Sequence, residues 1–149
     1  MVFKIFHRLK KSERGAAIIE FAIITPILIA MVIGIIEFGW IYSGYITLTG
    51  AAREGARLAA RGESVGIIDT RTRNHAITFT ENQGGTIDSV SLSAGYRNSI
   101  PQGGSISVTV SGKIPLLFKF LGGNGSIIPF PLITDPFPLS AKATMRREY

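Results

Sequence analysis

The chain has 149 residues, with 16 Lys and Arg against 10 Asp and Glu, two His and no Cys, and a formal net charge of +6. Without cysteine, neither a disulfide framework nor a thiolate zinc site can hold it, so packing alone must. Five basic residues (Lys4, Arg8, Lys10, Lys11, Arg14) precede Gly15 with only Glu13 against them, which leaves 11 basic and 9 acidic residues from Ala16 onward, a charge of 11 − 9 = +2; the basic excess is local to the N-terminus and is no mark of a nucleic-acid partner.

Residues 16 to 48 form a weakly polar stretch, and from Phe21 to Ile36 there are sixteen residues without a charge. A bilayer's hydrocarbon core takes roughly 20 apolar residues in a helix, so this segment is long enough to span one. Basic residues before it are expected to keep the N-terminus in the cytoplasm and send the C-terminal part across. A secretory signal peptide fits poorly, because the run exceeds an h-region of about 7 to 15 residues and no small-x-small site ends it.

Glu20 interrupts the apolar run. A carboxylate in or near hydrocarbon costs about 2.5 kcal/mol or more at the centre and persists where it has a partner. If the chain is cut between Gly15 and Ala16, the new amine lies one helical turn before Glu20 and can pair with it, in the same subunit or a neighbouring one. Pro26 lacks an amide hydrogen and is expected to bend or locally open the helix. Glu37, followed by Trp40, Tyr42 and Tyr45, reads as an interfacial carboxylate beside an aromatic belt. It stands seventeen residues from Glu20, on a different side of a straight helix, so the two form no shared proton-relay or metal pair.

The helix is expected to continue through Thr47 to Arg61, rich in Ala, Leu and Arg, and to stop at Gly62. A helix over residues 16–61 is about 69 Å long at 1.5 Å per residue, more than twice the hydrocarbon thickness, so its second half stands outside the membrane. At 100° per residue Leu48, Ala52, Gly55 and Ala59 share a narrow sector suited to close packing, with Arg53, Arg57 and Arg61 near the opposite side. The arginine stripe reads first as a solvated face partly compensated by Glu54, and second as a possible subunit contact or a contact with lipid headgroups.

Gly15, Ala16, Glu20, Phe21, Pro26, Glu37-Phe38-Gly39 and Ala51-Ala52-Arg53-Glu54-Gly55-Ala56-Arg57 together resemble the TadE-like family of minor pilins, over roughly residues 14 to 61. The closing residues 141–148 are similar to the family's end, less specifically. The resemblance implies a role in the tight-adherence (Flp, type IVb) pilus machinery of bacteria and archaea: a separate prepilin peptidase removes the leader after Gly15, and the mature protein associates with other pilin or pseudopilin subunits and an inner-membrane assembly platform. It also implies that a cytoplasmic ATPase supplies the energy.

Beyond Gly62 the pattern changes to period two. Ile67 to Arg73 is expected as a short helix or turn; Ala76 to Thr80, Thr86 to Ser93, Ser105 to Lys113 and Leu139 to Arg146 are expected as strands. Ile106, Val108 and Val110 alternating with Ser107, Thr109 and Ser111 give the clearest one, with one face buried and the other wet. Ile114 to Pro138, with five of the seven prolines and Gly122-Gly123-Asn124-Gly125, reads as a long irregular loop whose Phe118, Phe120, Phe130 and Phe137 either fold back over the sheet or form a contact surface.

No catalytic chemistry emerges. His7 is in the leader and His75 has no acidic or cysteine ligand nearby in sequence; Gly-x-Ser-x-Gly is absent, and Gly112-Lys113 lacks Walker spacing. The expectation is therefore a non-enzyme with no cofactor, no metal, no nucleic-acid partner and no small-molecule substrate. The expected fold is α+β: a cytoplasmic leader (1–15) to be cleaved, a long helix (16–61) with a transmembrane N-terminal half, and a small external domain with an antiparallel sheet (62–149). The expected function is a minor pilin supporting pilus biogenesis and surface adherence. The expected location is the cytoplasmic membrane, single-pass with the C-terminus outside, with possible incorporation into a surface pilus. The alternatives are an uncleaved membrane-anchored binding protein and, more remotely, a tethered exported enzyme.

Overall fold

The computed structural model describes residues 13–93, 103–117 and 136–147. The chain divides into two compact units, Met1–Ile36 and Glu37–Tyr149. Helix α1 (Glu13–Ala60) begins in the first and ends in the second; α2 (Val65–His75), α3 (Ile77–Glu81), β1 (Thr86–Leu92), β2 (Ser105–Ile114) and β3 (Phe137–Arg146) belong to the second. The architecture is mixed α+β, as expected, and α1 covers the expected helix to within three residues at its start and one at its end.

In the first unit α1 presents apolar side chains all round: Ile18, Phe21, Ile23, Ile27, Met31 and Ile35 are all more than 60% exposed. The most apolar window of α1 has no residue buried within the chain, whereas the core helix of a soluble protein is mostly buried. A helix of this composition needs an apolar surrounding. Pro26 lies inside α1. Its missing N–H leaves the Ala22 carbonyl without its usual donor, and in the same turn the Thr25 hydroxyl donates to the Phe21 carbonyl at 2.6 Å.

In the second unit the remainder of α1 becomes one-sided. Ile41, Leu48, Ala51, Ala52, Ala56 and Ala59 are buried and join a core with Ile68, Phe79, Ile106, Val108, Val110 and Ile114. The small residues permit close approach. A Cβ at Gly55 would sit 2.5 Å from Thr72 Oγ1 and 3.1 Å from Val108 Cγ1, and one at Gly44 would sit 2.9 Å from Ile114 Cδ1. α1 then stops at Gly62, which has φ +80°. The Gly62 amide donates to the Ala59 carbonyl and the Glu63 amide to the Leu58 carbonyl, the Schellman pattern that occupies the last helical carbonyls.

Ser64 caps α2 by accepting a hydrogen bond from the Ile67 amide. The next segment corrects the sequence reading: Ala76–Thr80 is no strand. The Ala76 amide donates to the carbonyls of Thr72 and Arg73, closing α2, and the single-turn α3 follows. Phe79, three residues after Ala76, is fully buried, whereas Ile77 is 47% exposed; strand alternation would have put 77 and 79 on one face. Gly85, whose amide donates to the Phe79 carbonyl at 2.9 Å, leaves the space that the phenyl ring fills.

The sheet is antiparallel in the order β1-β2-β3. β2 alternates as expected, burying Ile106, Val108, Val110, Gly112 and Ile114. In β1, Ile87 has the opposite parity to Val90 and Leu92, yet all three pack against the core. A bulge reconciles them: Ile87 pairs with Gly112 and Ser89 with Ser111, leaving Asp88 extra. The sheet takes both ends of the expected 114–138 loop, because Ile114 pairs with Phe137 and Lys113 with Pro138. Phe118, Phe120 and Phe130 lie outside the described residues.

Candidate functional site

Gly15 and Ala16 lie in the first turn of α1, which begins at Glu13. A Cβ at Gly15 would meet nothing within 4 Å, so the surrounding space does not demand glycine. Its effect on the chain is to weaken the helix locally, by about 1 kcal/mol relative to alanine. Glu20 follows one turn later, exposed among the exposed apolar residues, and makes no hydrogen bond or ion pair with any other described residue. In the intact chain Ala16 carries a peptide nitrogen, so the amine that could pair with Glu20 is not there. The remaining leader residues, 1–12, lie outside the described residues.

Glu37 departs from its sequence reading. It is 1% exposed, and its carboxylate accepts the Leu117 amide at 2.7 Å. A neighbouring bond supports the same junction: the Trp40 indole donates to the Pro115 carbonyl at 3.3 Å. Tyr42 and Tyr45 remain exposed, as an aromatic belt requires. The periodicity could have revealed Glu37. It begins the stripe Glu37, Ile41, Gly44, Leu48, Ala52, Gly55, Ala59, all buried, and a carboxylate on a packing face needs a buried donor. That donor, a backbone amide eighty residues away, no local pattern could supply.

The arginine stripe is on the wet side, as the wheel places it: Arg53 and Arg61 are exposed and Arg57 is half-buried. Arg57 forms a two-pronged ion pair with Glu54, Nε to Oε2 at 2.7 Å and Nη2 to Oε1. That hydrogen bonding holds the Glu54 carboxyl below its ordinary value; partial burial opposes the shift, and the charges of Arg57, His75 and Arg61 add to it. Sequence reasoning missed two further buried polar residues. Thr72 backs onto Gly55, and Gln83, whose amide donates to the Ser43 hydroxyl at 3.0 Å, ties the chain after α3 to α1.

Among the described residues no three His, Cys, Asp or Glu side chains are grouped so as to hold a metal ion. The arrangement suits retention in an apolar phase: an exposed apolar helix segment holding one carboxylate, followed by a packed domain. Comparison with curated proteins and with solved structures returns no match. Residues 15–57, which contain Glu20, Glu37 and two of the three stripe arginines, match the family model described as TadE-like protein, a family associated with Tad pilus systems.

Proposed function

We propose that this chain is a minor pilin of a Tad pilus: a single-pass protein of the cytoplasmic membrane whose residues 1–15 are removed by a prepilin peptidase and whose α1 then packs among other pilin subunits. The observation that carries the reading is the exposed apolar first unit, interrupted from Ala16 to Ile36 by Glu20 alone, within the family-matched residues. Cleavage after Gly15 creates an α-amine one turn from Glu20, and the pair neutralises a charge that is otherwise costly in lipid or in a helical bundle. Assembly moves the apolar surface from lipid to protein and keeps it out of water throughout. The partners are the peptidase, other subunits and a membrane platform driven by a cytoplasmic ATPase, and the outcome is pilus biogenesis and surface adherence.

A second reading has one observation in its favour. The Gly15–Ala16 bond is inside α1 rather than in extended chain, which fits a permanently uncleaved anchor carrying an external binding domain. The N-terminal residue and intact mass of the protein, recovered from membranes of a pilus-bearing host with and without its prepilin peptidase, separate the two. A peptidase-dependent start at Ala16 is expected; an intact Met1 start in both strains would overturn the minor-pilin reading.

A further inference from the structure

In the second unit, the end of α1 and the end of β3 meet around a cavity of about 760 Å³ lined by Arg57, Arg61, Gly103, Met145, Arg146 and Arg147. We infer that this cavity binds an oxyanion of the phosphate class and has room for a ligand carrying two such groups. Its volume lies within the range of roughly 300–1,000 Å³ typical of small-ligand sites. Guanidinium groups present a rigid fork of donors matched to phosphate oxygens. Among the described residues that line the cavity none is a carboxylate, and Glu54, the partner of Arg57, is not one of them.

The arginines are positioned by the fold. The Gly103 amide donates to the Arg147 carbonyl at 3.2 Å and the Arg147 amide to the Gly104 carbonyl at 2.9 Å, clamping the ends of β2 and β3. Arg146 Nε donates to the Gly103 carbonyl at 3.0 Å. Gly103 has φ +82°, and a Cβ there would sit 3.1 Å from Arg146 Nη2, so bare backbone makes room for that guanidinium. Arg61 is exposed and makes no side-chain hydrogen bond or ion pair among the described residues. Capping the helix does not explain it either, because the amides of Gly62 and Glu63 already occupy the terminal carbonyls. The α1 C-terminus brings about half a negative charge, against the guanidiniums of Arg61 and Arg146, neither of which is ion-paired with another described residue.

The source of the oxyanion is either a soluble molecule or a lipid headgroup. Ile46 is the last large exposed apolar residue of α1, and eleven residues of helix place Arg57 about 16 Å beyond it, more than a Debye length at physiological ionic strength. A soluble ligand is favoured.

The test follows the thermal unfolding of the full chain in detergent micelles as pyrophosphate is added at constant ionic strength. A parallel arm uses nanodiscs of phosphatidylcholine with or without phosphatidylglycerol. Saturable stabilisation by pyrophosphate is expected, with apparent affinity reduced at least tenfold in Arg61→Gln, an intermediate loss in Arg61→Lys, and none in Arg71→Gln, an exposed arginine elsewhere. Stabilisation by phosphatidylglycerol that depends on Arg61 and is competed by pyrophosphate would assign the same pocket to a headgroup. The inference is overturned by no saturable effect in either arm, or by an effect undiminished in Arg61→Gln.

Discussion

Two residue-scale predictions follow from the contacts of Gly55 and Glu54. At Gly55 a methyl group meets Thr72 Oγ1 and Val108 Cγ1, so Gly55→Ala should destabilise the folded domain by about 1–3 kcal/mol through overpacking, although alanine is the better helix former. A melting temperature equal to that of the parent would show that α1 does not pack this tightly. For Glu54 the folded carboxyl titrates below its ordinary value of 4.5. Its stabilisation is therefore complete above about pH 4.5 and is lost as pH falls through the lower folded value. Glu54→Gln should melt slightly below the parent at pH 6, with the gap narrowing as pH falls toward 3; the effect is small because the pair is partly solvated. An equal gap at both values would detach the stability difference from the carboxylate's charge.

At the scale of the element, the Asp88 bulge explains how β1 keeps Ile87, Val90 and Leu92 on one face. Deleting Asp88 leaves the pairs Ile87–Gly112 and Ser89–Ser111 in an ordinary ladder, losing only the exposed ion pair of Asp88 with Lys113. Deleting Ser91 instead moves Leu92 to the opposite face. The Asp88 deletion should thus fold with a melting temperature near the parent's, and the Ser91 deletion should be severely destabilised, as judged by thermal unfolding of the two full chains. Comparable loss in both would contradict the register. The β2 strand was legible in its residues because a buried face and a wet face alternate. Residues 76–80 were misread because one Phe between short polar residues has no period of its own, and the hydrogen bonds that close α2 decide it.

For the whole molecule, the proposed function makes a demand that separates insertion from assembly. Glu20→Ala should leave membrane insertion and the cut after Gly15 intact, since the amine partner arises only with cleavage, and should abolish or strongly reduce piliation, scored by sheared-pilus yield and by the processed mass in membranes. Unchanged piliation would remove the charge pair from the assembly step. The long helix, its apolar first half, its stop at Gly62, its packing stripe and its wet arginines were all determined by the sequence alone, because helix periodicity, charge placement and glycine's access to positive φ act within a few residues. Tertiary structure alone decided what Glu37 binds, how β1 changes parity, and which arginines share a cavity. Each of these joins segments separated by tens of residues, such as Glu37 to Leu117 and Arg61 to Arg146, and no local pattern records which distant backbone or side chain the fold brings opposite.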